Sequence, residues 1–323
     1  MKAIVPAGVG GPEVLKLAEA PDPELGEDEV LVRVRATALN RADLLQRRGL
    51  YPPPPGVTNI LGLEFSGVVE RLGARAEGVA IGDQVMGLLP GGGYAELAAT
   101  HPRTLLPIPA HLSFEEAAGI PEAFLTANEA LFTLGRLEAG ETVLIHAAAG
   151  GVGSAAVQLA KASGARTLAV VGSEAKAAFV RSLGADDVVV RTGENWQQEV
   201  LALGGFDVAL DFVGKSCAAL HAKGLRSRGR WVVLGFLSGS QAELELKWVL
   251  SKRLEILGLV MRTRTVGEKI ALTERFVRER LPLFAGGQLR PLVDSVFPLA
   301  EAAQAHERLE RNENLGKLVL RVG

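Results

Sequence analysis

Thr142-Val143-Leu144-Ile145-His146-Ala147-Ala148-Ala149-Gly150-Gly151-Val152-Gly153-Ser154-Ala155-Ala156-Val157-Gln158-Leu159-Ala160-Lys161 decides the fold. Its first five residues are a short β-branched and apolar run, the mark of a buried strand. A turn of small residues follows, and then an Ala-rich helix that Gly164 is placed to stop. Arg166-Thr167-Leu168-Ala169-Val170-Val171 supplies a second strand. A strand–helix–strand unit with small residues at its first corner suits a dinucleotide. Helix-start amides lack intrahelical partners and carry the positive end of the helix dipole, so they welcome a pyrophosphate. The pattern is A-x-G-x-x-G, with Ala148, Gly150 and Gly153 at the spaced positions. Ala149, Gly151 and Val152 complete the expected phosphate-binding turn.

The end of the second strand selects between dinucleotides. An acid there would hold a ribose 2′-hydroxyl. This strand runs instead into Val171-Gly172-Ser173-Glu174-Ala175-Lys176, with Ser173 and Lys176 able to bond a 2′-phosphate. Arg191, just past the third strand candidate Val188-Val189-Val190, adds a second cation. Glu174 is the residue that speaks for a ribose contact. The balance favours NADPH over NADH.

The stretch from Gly140 through Lys161, with His146–Gly153 at its centre and Gln158 and Lys161 beyond, resembles the signature of the quinone oxidoreductases related to zeta-crystallin. These are zinc-free members of the medium-chain dehydrogenase/reductase superfamily, and the resemblance runs along essentially the whole chain. It implies a Rossmann domain, a doubly wound parallel sheet of about six strands, beside a mainly β, partly open barrel of GroES-like type that carries the catalytic site.

Length and composition agree with two soluble globular domains. The chain has 323 residues, a hydrophobic fraction of 48% and a formal charge of −2, which argues against nucleic acid or an anionic membrane as partner. Met1–Val5 leads directly into a strand, with no signal-peptide pattern and no apolar span of membrane length, so the expected location is cytoplasmic. The single cysteine, Cys217, excludes an internal disulfide and any multi-cysteine zinc site.

Residues 1 to about 110 break into short strand candidates at Lys2–Val5, Glu29–Ala36, Phe65–Leu72, Gln84–Leu88, Tyr94–Ala98 and Thr104–Leu106, separated by Gly and Pro turns. Near residue 111 the texture becomes helical, with a capping box from Ser113 to Glu116. Strands at 187–190, 206–213, 231–236 and 254–260 then alternate mostly with helices, the doubly wound pattern. After about 262 a helical tail ends in a strand at Lys317–Val322, and by the resemblance it folds back onto the first domain. The expected domains are 1–111 with 263–323 (catalytic) and 112–262 (NADPH-binding).

Zinc-dependent relatives hold their metal by a Cys in the region of Asn40 and by the His of a Gly-His-Glu motif. This chain has Leu39-Asn40-Arg41 and Gly62-Leu63-Glu64, and neither Asn40 nor Leu63 is a credible zinc ligand. No metal is expected. Hydride transfer to a quinone asks the protein mainly to hold the nicotinamide against the acceptor ring, with hydrogen-bond donors near the developing oxyanion adding rate. Asn40 is the first choice in the expected interdomain cleft, touching substrate or nicotinamide ribose; its bland alternative is a turn cap. The resemblance also implies cofactor contacts at Thr126, at Phe212 and Val213, at Leu234, Gly235 and Phe236, and, through a C-terminal Gly-Lys pair, at Lys317. The chain departs from close relatives at Asp43-Leu44-Leu45, where a Tyr is common, and at Val190-Arg191-Thr192, where Asn-Tyr-Arg is common.

His146 reads as structural, Cys217 as a helix filler, Arg226–Arg230 as a solvated turn and Tyr51–Pro55 as a rigid surface connection. The function expected is metal-independent NADPH:quinone reduction by a homodimer. Reduction of an enal, enone or enoyl-thioester on the same scaffold is the alternative, for which no dedicated acid is evident. A third is an NADPH-bound protein with an RNA-binding or structural role, disfavoured by the lack of a basic stripe.

Overall fold

The computed structural model describes residues 1–323, which divide into two compact units, Met1–Leu125 with Arg262–Gly323 and Thr126–Met261.

The first unit is mainly β. Its strands are β1 (Lys2–Pro6), β2 (Leu15–Glu19), β3 (Val30–Ala38), β4 (Glu64–Leu72), β5 (Gln84–Leu88), β6 (Leu97–Thr100) and β7 (Leu105–Pro107), with the short helix α1 (Arg41–Arg47) between β3 and β4. Helices α2 (Phe114–Ala118) and α3 (Pro121–Asn128) follow. The strand Leu15–Glu19 lies outside the expected set; it pairs antiparallel with β1. Residues 112–125, expected in the second domain, belong to the first unit. Their anchors are local: Ser66 Oγ donates to the Phe114 carbonyl at 2.6 Å, the Glu122 amide donates to Glu64 at 2.7 Å, and Phe124 stacks edge-on against Phe284. The capping box from Ser113 to Glu116 opens α2 as the sequence suggests.

The second unit holds β8 (Thr142–Ile145), α4 (Gly151–Ala162), β9 (Arg166–Val171), α5 (Glu174–Ser182), β10 (Asp187–Val190), α6 (Trp196–Ala202), β11 (Phe206–Asp211), α7 (Ala218–Gly224), β12 (Leu225–Val233), α8 (Leu246–Lys252) and β13 (Glu255–Gly258). Every pairing is parallel, in the order β10-β9-β8-β11-β12-β13. Strand order reverses between β8 and β11, the switch point where open α/β sheets place ligands. Helices on both faces bury the central strands, and all four residues of β8 are buried. Gly164, at φ 78°, ends the α4 segment in the left-handed conformation. Strand β12 begins six residues before the expected start, because the Arg226–Arg230 cluster is not a solvated turn throughout. Arg230 is buried and ion-paired with Glu141, and its Nε donates to the Gly135 carbonyl at 2.7 Å.

The chain then returns to the first unit through α9 (Val266–Glu279), α10 (Leu281–Ala285), β14 (Val293–Pro298), α11 (Ala302–Glu310) and β15 (Lys317–Arg321). There β15 pairs with β3 in a seven-stranded sheet ordered β14-β15-β3-β4-β5-β7, with β6 also on β3. Buried Phe65, Leu61, Ile4 and Leu320 are among this unit's core; each large side chain so buried contributes about 1.5–3 kcal/mol.

Candidate active site

Between β8 and α4 the chain turns sharply. Ala147 takes φ 47°, and Gly150 is the helix N-cap with extended backbone. Ala148 and Ala149 are buried and face inward, so the small residues there serve packing. A Cβ on Gly153 would lie 2.4 Å from the Ala147 carbonyl oxygen and 2.7 Å from the Ala148 Cα, so only glycine lets α4 come this close to the strand end. The first-turn amides of Gly151, Val152 and Gly153 have no carbonyl one turn earlier to accept them, and Gly150, Gly151 and Val152 are partly exposed. This cradle fits a pyrophosphate.

The other expected residues of this unit lie at the same, C-terminal, ends of the strands. Gly172 follows β9 and has open space at its Cα. Ser173 caps α5, its hydroxyl accepting from the Lys176 amide at 3.4 Å while its own proton stays available. Arg191 follows β10; its amide bonds the Val171 carbonyl at 2.7 Å, which ties it to the end of β9, and its side chain is exposed. Phe212 and Val213 follow β11, and Leu234, Gly235 and Phe236 follow β12. The last two groups are stitched together, since the Asp211 carbonyl accepts from the amides of Leu234 and Gly235 at 2.7 and 3.2 Å. Thr126, on α3, is buried with its hydroxyl unpartnered, an orphaned donor of the kind a ligand satisfies.

In the first unit the structure joins Asn40 and Lys317 in a way the sequence did not indicate. The Lys317 ammonium donates to the Leu39 carbonyl at 2.8 Å and to Asn40 Oδ1 at 2.6 Å, and it pairs with Glu64 Oε1 at 2.7 Å. Its three protons have three protein acceptors, and it is only 4% exposed. The expected phosphate contact at Lys317 is therefore corrected: this lysine is a buried internal cation. Asn40 changes too. Its Nδ2 donates to Glu64 Oε1 at 2.9 Å and to the Ala38 carbonyl at 3.3 Å, so it has no proton left for a substrate oxyanion. Only Oδ1 keeps a free lone pair, and Asn40 can accept from a hydroxyl. It is also the N-cap of α1, with its amide donating to Asp43 Oδ2 at 2.7 Å.

Behind Asn40 a polar chain runs inward. Asp43 accepts from the Gly62 amide and the Tyr94 hydroxyl, both at 3.2 Å; Tyr94 meets His306 Nε2 at 3.1 Å, and His306 Nδ1 faces Arg47 at 3.2 Å. Burial pushes Asp43 up to about 6 against the pull of the amides, and holds His306 down to about 3, helped by Arg47. Leu63, at the place of the motif histidine, is buried and apolar. No three His, Cys, Asp or Glu side chains converge anywhere in the chain, so the residues do not fit a zinc ion.

Sequence reasoning missed Glu122. Its amide donates to Glu64 Oε2. Burial, with the charge of Glu64 beside it, pushes its carboxyl up to about 8, so it is protonated at neutral pH. A carboxyl's ionisation depends on neighbours distant in sequence, and no local pattern marks it. Tyr51, expected in a surface connection, instead lies half-buried under Arg262, whose guanidinium carbon is 5.2 Å from the ring centre.

Known proteins carry the same two-part plan. A profile of the zinc-binding dehydrogenases matches residues 151–275, and one of the alcohol dehydrogenase GroES-like domain matches residues 26–110. The quinone oxidoreductase of Pseudomonas aeruginosa is 36% identical over 99% of this chain and 99% of its own length. This chain is a medium-chain dehydrogenase/reductase of the quinone oxidoreductase family. The quinone oxidoreductase of Mus musculus is 31% identical over 99% of this chain and 97% of its own. Among solved structures, the Pseudomonas syringae quinone oxidoreductase superposes with a TM-score of 0.88 at 31% identity, covering 99% of both chains. The CurK enoyl reductase superposes at 0.87 with 28% identity, covering 100% of this chain and 99% of its own. Both domain types of the medium-chain fold are thus present, and the family uses a nicotinamide dinucleotide. No helix is long and apolar enough to cross a membrane.

Proposed function

We propose that this medium-chain reductase is an NADPH-dependent, metal-independent quinone reductase. The observation that carries the reading is the pairing of a glycine-tight β8–α4 turn with a β9 that itself ends without an acid and runs into Gly172, Ser173 and, on α5, Glu174 and Lys176, with the Arg191 amide tied to Val171 at the strand end. Bound NADPH supplies the hydride. Gly150–Gly153 hold its pyrophosphate, Ser173, Lys176 and Arg191 its 2′-phosphate, and Phe212, Val213, Leu234–Phe236 and Thr126 the remainder. Asn40 accepts a hydroxyl proton from ribose or from the reduced acceptor, a role its spent amide protons leave open. The Lys317–Glu64 pair stands where zinc-dependent relatives carry metal, and it supports a reaction without one. Glu122, protonated at neutral pH, is the group able to give a proton to the reduced acceptor's oxygen.

The same carboxyl favours a second reading, reduction of a conjugated C=C, since that reaction needs a proton donor and a solved enoyl reductase shares the fold. We also propose a homodimer joined at the edge strand β13, where Ile256 is 47% exposed beside Val260 at 51% and, on α8, Leu250 at 82%. NADPH oxidation measured by absorbance with 1,4-benzoquinone, 9,10-phenanthrenequinone and a simple enone, repeated with NADH and with chelator, tests the reading. Quinone turnover that prefers NADPH and ignores chelator is expected. Turnover of the enone alone would select the second reading, and a chelator-sensitive rate would refute the metal-free one.

A further inference from the structure

Strand β11 ends in a buried polar cluster that none of the roles above uses. Asp211, its last residue, is fully buried. One oxygen, Oδ1, accepts from the amides of Val213 at 2.7 Å and Gly214 at 2.9 Å; the other, Oδ2, accepts from the indole Nε1 of Trp231 at 3.0 Å. The ring Nδ1 of His221 lies 3.5 Å from the same Oδ2. Behind it His221 Nε2 meets His146 Nε2 at 2.9 Å, and His146 Nδ1 lies 4.0 Å from the Cys217 sulfur.

One placement of protons runs through this chain. Burial holds both imidazoles down to about 3, so both are neutral, and it pushes the Cys217 thiol up to about 11, so the thiol keeps its proton. With His221 protonated on Nδ1, His146 Nε2–H donates to His221 Nε2 and the thiol faces His146 Nδ1. His221 Nδ1, 3.5 Å from Asp211 Oδ2, makes no hydrogen bond of its own. Both oxygens of Asp211 accept, Oδ1 from two backbone amides and Oδ2 from the indole.

The turn it holds requires glycine. Gly214 has φ 79° and ψ −119°, the mirror-β region open to a residue without a Cβ, and a Cβ there would sit 2.6 Å from the Gly239 carbonyl oxygen. The 212–214 turn is in turn laced to the loop after β12: the Leu237 amide donates to the Phe212 carbonyl at 3.1 Å, and the Ser238 amide to that of Val213 at 2.8 Å.

We infer that Asp211 is the positioning residue of the cofactor site: it fixes the 212–214 turn and, through it, the 234–236 segment against NADPH. This rests on the NADPH reading above. Asparagine is the discriminating replacement, because it can accept on one side only. If its oxygen keeps the two turn amides, its NH₂ opposes the Trp231 N–H; if it flips, the turn amides face a donor.

The test measures NADPH affinity through the ligand's own fluorescence in wild type, Asp211→Asn, Trp231→Phe and the double variant. Asp211→Asn is expected to raise the NADPH Kd about tenfold, the effect of one lost buried acceptor. Trp231→Phe should leave it unchanged, and the double variant should recover, since removing the indole donor frees the asparagine to orient for the turn. A residue that served only stability would leave the Kd of the folded protein unmoved. A folded Asp211→Asn protein with wild-type Kd overturns the inference, as does a double variant that shows no recovery. Should Asp211→Asn fail to fold, a folded double variant with near wild-type Kd supports the inference and an unfolded one overturns it. Wild type that binds no NADPH would fail the functional reading itself, a separate outcome.

Discussion

Replacing Lys317 by methionine keeps the length and apolar stem of the side chain and removes only the ammonium. Glu64, completely buried, would then keep Asn40 Nδ2 on one oxygen and the Glu122 amide on the other, with no positive charge in hydrogen-bond contact. The Leu39 carbonyl and Asn40 Oδ1 would lose their donor as well. Breaking one side of a buried ion pair costs about 3–5 kcal/mol, because the partner charge is stranded. Pairing the change with Glu64→Gln removes that charge, so Lys317→Met/Glu64→Gln should be more stable than Lys317→Met alone, by about 2 kcal/mol. Urea unfolding of wild type, Lys317→Met, Glu64→Gln and the double variant measures this. The three tryptophans, at 196, 231 and 248, all lie in the second unit, and both tyrosines, at 51 and 94, lie in the first. Circular dichroism in the far ultraviolet therefore follows both units together, with tryptophan fluorescence reporting the second alone, so that the first unit shows as the difference between the two. The reasoning is refuted if Lys317→Met unfolds within 1 kcal/mol of wild type while losing affinity for NADPH and not for NADH. That result would return the lysine to the phosphate contact implied by the family resemblance.

Further outcomes follow from other sites. His146, His221 and His306 are each held down to about 3 by burial, below the unfolded value of 6.5. A base with a depressed folded pKa gives stability that is complete above the unfolded value and is lost as pH falls below it. At pH 5 the loss is about 2 kcal/mol per histidine, about 6 kcal/mol for three, against about 4 kcal/mol gained as Asp43 and Glu122, raised to about 6 and about 8, take up protons; a urea midpoint that rises between pH 7 and pH 5 would contradict the burial of the histidines as neutral rings. The wild-type rate should decline above about pH 8, and Glu122→Gln should lower turnover by about a hundredfold and abolish that decline; a wild-type profile in the variant would remove Glu122 from the reaction. Arg191→Ala should weaken NADPH binding by about 1.5 kcal/mol and leave NADH binding unchanged, as read by titration of both. Gly153→Ala, whose Cβ would meet the Ala147 carbonyl at 2.4 Å, should abolish NADPH binding; binding at wild-type affinity would show that the turn can relax.

What could be read in advance has a physical pattern. The β8–α4 turn, the alternation that follows it and the parallel sheet were legible because each depends on neighbours a few residues away: β-branched runs, a helix-start glycine, a capping box. The five-residue strand Leu15–Glu19 escaped because four of its residues are exposed, leaving no alternation to mark it. Lys317 was misjudged for a different reason. Its partners Asn40 and Glu64 lie more than 250 residues away in sequence, and a Gly-Lys pair says nothing about what waits for the amine. Cys217 shows the same limit in milder form: His221 follows it by four residues, yet the histidine that meets its sulfur, His146, comes from 71 residues away. The filler reading of the thiol rests on its burial.

The buried ammonium of Lys317 has a consequence for anyone who would build metal into this site. A zinc ion placed here would need a cysteine near position 40 and a histidine at 63, and the cation bound between Leu39, Asn40 and Glu64 would have to be cleared as well. Either ligand introduced alone would meet a fixed positive charge. Removing the lysine first would strand Glu64, so the conversion asks for several replacements at once.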